Sequence, residues 1–178
     1  VSVTALHLKP LEHALGLKRG CVNKVIPDII LKSPRSVVIS FIKGLTLDSC
    51  IIDEGSKQYL KFTLSNSISA KYLQEILLNL GIVSSRRQDR HKTDNVFHVL
   101  VYNGELVKFN DIVGFVEKDQ YTYKPLIEGN NNYTVRGNSL WLPVKDIDLS
   151  CNDVYDFNVP YTHSFISGAF ISHNTDSG

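Results

Sequence analysis

The chain lacks any stretch of about 18 consecutive apolar residues, which excludes a helix long enough to cross a membrane. An apolar run is also missing from its first residues, VSVTALHLKPLEH, so we predict a cytoplasmic protein without a secretory signal. Cysteine is scarce: Cys21, Cys50 and Cys151 are far apart and form no CxxC pair. This pattern favours reduced thiols over a disulfide framework or a CxxC metal site.

Positive charge is scarce in the last part of the chain. Residues 126–178 hold 2 Lys/Arg against 6 Asp/Glu, whereas residues 1–125 hold 17 against 12. Within 178 residues this asymmetry favours two modules, and the basic first one is a candidate for contact with nucleic acid. The alternative is that its excess of positive charge is an ordinary solvated surface.

The hydrophobic pattern of the first module changes between helical and strand periods. KSPRSVVISFIKGL predicts a helix capped by Ser33, with Pro34 at its first position and an apolar stripe of Val38, Phe41, Ile42 and Leu45. CIID and KQYLKFTLS, joined by the turn EGS, predict a strand pair. A helix ending at Gly81, the strands IVSSRRQ and NVFHVLVY, and a helix over ELVKFNDIVGF follow. The predicted order is αββαββα.

The rest of the chain shows no helical period. The polar run EGNNNYTVRGNS, residues 128–139, predicts a linker. Beyond it, LWLPVKDIDLS, DVYDFNV and HSFISGAFIS are typical of strands, so the segment is predicted to be all-β. The whole chain is therefore predicted to be an α+β protein.

The first module, with SFIKGLTLDSC on its first helix and LNLGIVS and KFNDIVGF further on, resembles one repeat of the LAGLIDADG homing endonucleases. We assign residues 1–127 to this endonuclease-like domain. In the family, small residues of the first helix let two such helices pack closely, and an acid near the helix end binds a divalent metal above DNA.

The aligned helix departs from the family at the metal position. Gly44 and Leu45 match the family pattern, but Ser49 stands where the family has the metal-binding acid, and Cys50 replaces a glycine. Asp48 is displaced by about 100° around the helix. A neutral hydroxyl is a poor Mg²⁺ ligand. We therefore expect a degenerate domain without nuclease activity and without a cofactor; only an active endonuclease would need Mg²⁺.

A basic cluster follows the second helix, formed by Arg86, Arg87, Arg90, His91 and Lys92. In the family, the corresponding strand lies in a DNA groove. One interpretation is weak, salt-dependent DNA binding through this cluster; the other is a solvated hairpin tip.

Residues 140–174, LWLPVKDIDLSCNDVYDFNVPYTHSFISGAFISHN, followed by Thr175, resemble the C-terminal end of an intein, a self-splicing element. The resemblance combines the VYDFNV strand, the HSF element, a glycine at the turn and a terminal His-Asn before a hydroxyl residue. It implies the all-β C-terminal segment of a Hint fold, with residues 175–178 as the start of the C-extein. Inteins often carry a LAGLIDADG endonuclease as an insertion, so the two resemblances support each other.

The intein resemblance implies a role for five residues. Asn174 would cyclise to a succinimide and cut the 174–175 bond, while His173 donates a proton to the scissile amide. Thr175 would supply the hydroxyl that attacks the upstream ester. By position, Asp156 matches the acid used around that transfer, and His163 matches a histidine that activates cyclisation. The alternatives are an exposed strand charge for Asp156 and a strand-end residue bonded to backbone for His163.

The intein resemblance also implies a partner. Inteins begin with Cys, Ser or occasionally Ala, and residue 1 here is Val. We therefore expect a C-terminal portion that acts with an N-terminal intein fragment and its N-extein, either naturally split or separated from it. Thr4 and His7 have the Thr-x-x-His spacing of another Hint strand block; the alternative assigns them to the endonuclease-like domain. The final TDSG resembles the YGDTDS motif of family B DNA polymerases and suggests such a host.

Overall fold

The computed structural model describes residues 9–10, 13–14, 25–55, 57–89, 96–116, 133–151, 153, 159–167 and 170–173. The chain divides into two compact units, Val1–Ile127 and Glu128–Gly178. We call them the first and second unit and describe each by itself. Among the described residues, no helix is long and apolar enough to cross a bilayer.

The first unit alternates helices with pairs of strands. After a short helix α1 (Asp28–Leu31) come α2 (Arg35–Leu45), a 3-10 turn (Thr46–Asp48), β1 (Cys50–Glu54), β2 (Lys57–Leu64), α3 (Ser67–Asn79), β3 (Ser85–Gln88), β4 (Phe97–Tyr102) and α4 (Asn103–Ile112). The predicted αββαββα order is confirmed from α2 onward. Helix α1 was not predicted, because four residues are too few to show a helical period.

The start of helix α2 differs from the prediction. Pro34 occupies the N-cap position and no side chain caps the helix. The Ser33 hydroxyl instead donates a hydrogen bond of 2.7 Å to the Ile29 carbonyl. The predicted Ser33 cap was wrong because helix α1 ends shortly before Ser33. The Ile29 carbonyl of that helix competes with the start of helix α2 for the Ser33 hydroxyl.

Helix α3 has defined ends. At its start, the Asn66 side chain accepts hydrogen bonds from the backbone N–H of Ile68 at 2.8 Å and of Ser69 at 3.2 Å. At its end, Gly81 has φ +85°, and the following Ile82 N–H bonds back to the Leu77 carbonyl at 2.8 Å. Glycine adopts this left-handed conformation without steric cost, so the predicted stop at Gly81 is confirmed.

The four described strands of the first unit form one antiparallel sheet in the order β1-β2-β4-β3. Leu60 pairs with Val101 and Phe62 with Val99, which places all four on one face. This face packs against α3 and α4, with the Phe62 and Phe109 rings 6.0 Å apart. The core it forms contains most of the buried apolar side chains, among them Ile42, Leu60, Leu73, Leu77, Ile82, Val99, Val101, Leu106 and Phe109, each 0% exposed.

The described part of the second unit contains two hairpins. Strands β5 (Thr134–Arg136) and β6 (Ser139–Trp141) pair around Gly137, which has φ +58°. The predicted linker at 128–139 is thus partly a hairpin. Strands β7 (Ser164–Ser167) and β8 (Phe170–His173) form the second pair, which confirms the strands of HSFISGAFIS.

The strand prediction for LWLPVKDIDLS was wrong over most of its length. Only Leu140 and Trp141 lie in a strand, and residues 142–150 have no regular secondary structure. Alternating apolar residues do not form a strand without a neighbouring strand to take up the backbone hydrogen bonds. Most of the predicted strand DVYDFNV, residues 154–158, lies outside the described residues.

The described part of the second unit has no core of its own. None of its described residues is buried. Its large apolar side chains are mostly exposed, between 56% for Trp141 and 97% for Leu149; the others include Leu142, Val144, Ile147, Ile166, Phe170 and Ile171. The described part of the second unit thus leaves most of its apolar surface in contact with solvent.

Candidate functional site

The residues that aligned with the endonuclease helix run from the end of helix α2 through the 3-10 turn to Ser49 and to Cys50, the first residue of β1. The expected continuation of the helix to Asp48 and Ser49 was wrong, because the α-helix ends at Leu45. Ile42 is 0% exposed and faces the core, whereas Gly44 is exposed. A Cβ at Gly44 would meet nothing within 4 Å. Helix α2 therefore presents Gly44 on a face that the described part of the first unit leaves uncovered.

The residues at the aligned metal position do not suit a divalent cation. The Ser49 hydroxyl donates a hydrogen bond of 2.7 Å to the Thr46 carbonyl, so it closes the 3-10 turn. The buried Thr46 hydroxyl donates to the Lys43 carbonyl at 2.7 Å and accepts from the Val116 N–H at 3.3 Å. Asp48 is exposed. No group of three or more His, Cys, Asp or Glu that could hold a metal occurs in the described part of the chain.

The sheet face turned away from α3 and α4 is named here the open face. Cross-strand pairing arranges its side chains in three rows: Ile52, Tyr59 and Tyr102; Cys50, Lys61, Leu100 and Ser85; Thr63, His98 and Arg87. All except the buried Leu100 are exposed or half-buried. The open face is thus a solvent-facing surface made of polar, aromatic and basic groups.

The two described arginines of the predicted basic cluster do not share a face. Arg87 pairs with His98 on the open face, while Arg86 pairs with Val99, whose side chain lies in the core layer. Neighbouring residues of a strand point to opposite sides, which separates the two guanidinium groups. Arg90, His91 and Lys92 lie outside the described residues.

Polar contacts link the strands across the open face. The Thr63 hydroxyl lies 3.3 Å from His98 Nδ1, and His98 Nε2 lies 3.6 Å from an Asp89 oxygen. The Tyr59 hydroxyl donates a 3.0 Å hydrogen bond to Glu54. Burial of the phenol, reinforced by this bond to a carboxylate, raises the pKa of Tyr59 above its ordinary value of 10.0.

The C-terminal hairpin positions two of the predicted splicing residues. The turn before β7 has left-handed backbone at Tyr161 (φ 71°) and His163 (φ 51°), and the His163 N–H bonds to the Val159 carbonyl at 3.2 Å. The register then pairs Ser164 with His173. His163 therefore lies next to the residue that faces His173.

The two imidazole rings stack. Their centroids are 6.0 Å apart and their planes differ by 24°. Both side chains are exposed on the described surface of the second unit. The sequence has HSF and ISH at the two ends of one predicted strand segment, but its pattern does not specify the register that brings the two rings together. Asp156, Asn174 and Thr175 lie outside the described residues, so their predicted roles stay predictions.

The comparisons with known proteins support the first resemblance. Residues 36–114 match the family described as "LAGLIDADG-like domain", and the chain contains such a domain. That range runs from helix α2 to the end of helix α4, the part with the buried core.

A curated protein similar to the chain is the replicative DNA helicase DnaB of Synechocystis sp. (strain ATCC 27184 / PCC 6803 / Kazusa). It is 23% identical over 168 residues, which cover 85% of this chain. The chain spans only 19% of the helicase's length. The similarity thus extends over both units of the chain and corresponds to a fifth of the larger protein.

Proposed function

We propose that the chain is the C-terminal part of an intein and performs the last steps of protein splicing together with an N-terminal intein fragment. The observation that carries this proposal is the His163–His173 contact at the end of the chain. The intein resemblance assigns both histidines to asparagine cyclisation, which requires them near the same peptide bond. A hairpin whose register brings them together is consistent with that requirement.

The proposed chemistry takes place at the 174–175 bond. The Thr175 hydroxyl attacks the (thio)ester formed on the first residue of the N-terminal fragment. The N-extein acyl group moves to the Thr175 oxygen, that first residue leaves as a free thiol or hydroxyl, and a branched intermediate results, with Asp156 as the acid around this transfer. The side-chain amide nitrogen of Asn174 then attacks its own backbone carbonyl. A five-membered succinimide forms, the 174–175 bond breaks, and His173 delivers a proton to the departing amine. No water, metal or other cofactor is consumed.

The exposed apolar surface of the second unit supports the need for a partner. Leu142, Val144, Ile147 and Leu149 are 57% to 97% exposed and lie in a segment without a strand partner among the described residues. An N-terminal intein fragment would supply strands that pair with this segment and cover these side chains. Backbone hydrogen exchange over residues 140–172 should therefore slow when that fragment is added.

The helicase similarity fits an element inserted in a larger host. An inserted element would align over most of its own length and over a small part of its host. The alignment covers 85% of this chain and 19% of the helicase. The family B DNA polymerase suggested by TDSG remains a proposal for the host of this chain, and a replicative helicase is the other.

Two variants test the proposal because they stop the reaction at different steps. In the presence of the N-terminal fragment, Asn174→Ala should block cleavage at 174–175 and let the branched intermediate accumulate. Thr175→Ala should prevent branching and leave some cleavage after Asn174. Asn138→Ala is a matched control that should splice normally. Intact-protein mass spectrometry separates these products, and normal splicing of Asn174→Ala would refute the assigned role.

The second candidate function is that of a DNA-binding or homing endonuclease module formed by the LAGLIDADG-like domain. Exposed Arg86 and Arg87 on the edge strand β3 favour it, and the bonded hydroxyl of Ser49 disfavours cleavage. Incubation of the chain with duplex DNA and Mg²⁺ should leave the DNA intact. Specific double-strand breaks would reverse the order of the two candidates.

A further inference from the structure

The turn that leads into β7 has a strained backbone. Tyr161 has φ 71° and His163 has φ 51°, so two residues with side chains lie in the left-handed region within three positions. This conformation brings the Cβ atom close to the following carbonyl oxygen, a steric cost that glycine would avoid. Residues held in this way persist only where the surrounding structure fixes them, and they occur preferentially at functional sites.

Backbone hydrogen bonds close the turn on the side that precedes His163. The His163 N–H donates to the Val159 carbonyl at 3.2 Å, and the Thr162 N–H donates to the Pro160 carbonyl at 2.9 Å. These two bonds leave the position of His163 dependent on what holds it from the other side.

Two further hydrogen bonds join the residues on either side of His163. The Ser164 hydroxyl donates to the Thr162 carbonyl at 2.8 Å, and the Thr162 hydroxyl donates to the Ser164 carbonyl at 3.4 Å. Hydrogen bonds between a hydroxyl and an oxygen normally measure about 2.5–3.0 Å, so the bond from Ser164 is the stronger of the two. The backbone of His163 is therefore held between its neighbours, chiefly by the Ser164 hydroxyl.

The held turn determines where the His163 ring lies. Ser164 pairs directly with His173 of β8, so a fixed geometry between Ser164 and His163 places the His163 ring beside that of His173. The two ring centroids are 6.0 Å apart. Both side chains are exposed, so burial does not confine either ring. The direction of the His163 ring then depends on the backbone of the turn.

We propose that Ser164 is a positioning residue for asparagine cyclisation and acts through His163. The inference rests on the proposed splicing function. The Ser164 hydroxyl holds the left-handed turn, and the turn keeps the His163 imidazole against His173, the residue before Asn174. The proposed branching step does not use His163, so only cyclisation depends on Ser164. Thr162 contributes less, because its hydrogen bond is longer.

The rates of the two steps test this role. The full chain is mixed with the N-terminal intein fragment, and intact-protein mass spectrometry follows branching and succinimide formation. Ser164→Ala should slow succinimide formation about fivefold, the factor that corresponds to one lost hydrogen bond, and leave branching unchanged. Ser164→Thr keeps a hydroxyl and should retain the rate. Ser167→Ala, at the other end of β7, is the matched control and should react normally.

Two results of this experiment would overturn the proposal. One is an unchanged rate of succinimide formation in Ser164→Ala. The other is equal slowing of branching and cyclisation, because a generally damaged hairpin would affect both steps.

A double-mutant cycle tests whether Ser164 acts through His163. His163→Asn removes the imidazole and introduces a residue that tolerates left-handed backbone. In this background Ser164→Ala should cause no further loss of cyclisation, because the group that it positions is gone. A further slowing of about fivefold would refute the assigned role.

The ring contact is measured in the chain alone, so this result does not depend on splicing. With isotope-labelled histidine, the nuclear Overhauser effect between the His163 and His173 rings should weaken in Ser164→Ala and persist in Ser167→Ala. An undiminished contact in Ser164→Ala would overturn the proposal. If the unchanged chain forms neither branch nor succinimide with the N-terminal fragment, the splicing function itself is refuted, which keeps the two failures distinct.

Discussion

Replacing Phe109 by alanine should unfold or strongly destabilise the first unit, while the same change at Phe170 should have almost no effect on the chain alone. Phe109 is 0% exposed, with the rings of Phe62 and Phe115 at 6.0 and 5.3 Å. Truncating such a residue removes its buried area and leaves a cavity, at a cost of about 3–5 kcal/mol. Phe170 is 68% exposed, so its truncation should cost less than about 0.5 kcal/mol.

Two optical probes separate the units in a urea titration. The described helices all lie in the first unit, so far-UV circular dichroism follows it, and Trp141, the single tryptophan, reports on the second. With a slope of about 1–3 kcal/mol per molar urea, Phe109→Ala should lower the midpoint of the dichroism transition by at least about 1 M. The reasoning fails if Phe170→Ala shifts that transition as much, or if Phe109→Ala costs less than about 1 kcal/mol.

Three smaller predictions follow from the same structure. Asn66→Ala should cost about 1 kcal/mol in urea unfolding because two backbone N–H groups of helix α3 lose their acceptor, and Asn66→Asp should retain most of the stability. Gly44→Ala should stabilise the chain by up to about 1 kcal/mol, since the added methyl meets no neighbour in the described residues; a loss of stability would contradict this. An absorbance titration should find the pKa of Tyr59 above 10.0, and Glu54→Gln should lower it towards that value. Because the folded chain then holds a proton that the unfolded chain releases, this tyrosine lowers stability as pH rises above 10.0.

The elements of the first unit could be predicted because each carries its own period. Leu73, Ile76 and Leu77 mark the buried face of α3, and Leu60 and Phe62 alternate along β2 towards the core. At these positions the hydrophobic period of the sequence matches the side chains that tertiary packing buries, so the period alone predicts the helix or strand. The predicted Ser33 cap was wrong because the Ser33 hydroxyl bonds to the Ile29 carbonyl of helix α1 and not to the start of helix α2. Helix α1 is too short to be predicted from the sequence pattern.

The second unit was harder to predict because its strands depend on partners. Leu142 to Leu149 have the alternation of a strand, yet the described structure gives them no regular form. The β7–β8 hairpin was predicted, but the stacking of His163 on His173 follows from the register Ser164 to His173, which the sequence pattern does not specify. Likewise, the separation of Arg86 from Arg87 became evident only with the pairing of β3 to β4.

The chemical state of residue 174 tests the central claim most directly. The full chain is incubated with an N-terminal intein fragment, and the newly formed end is analysed by tandem mass spectrometry. We predict a peptide that ends in a succinimide at Asn174, together with a ligated product in which Thr175 is joined to the N-extein, and neither from Asn174→Ala. The proposed splicing function would be contradicted if the chain stayed intact in the presence of the N-terminal intein fragment, or if it were cut at a bond other than 174–175.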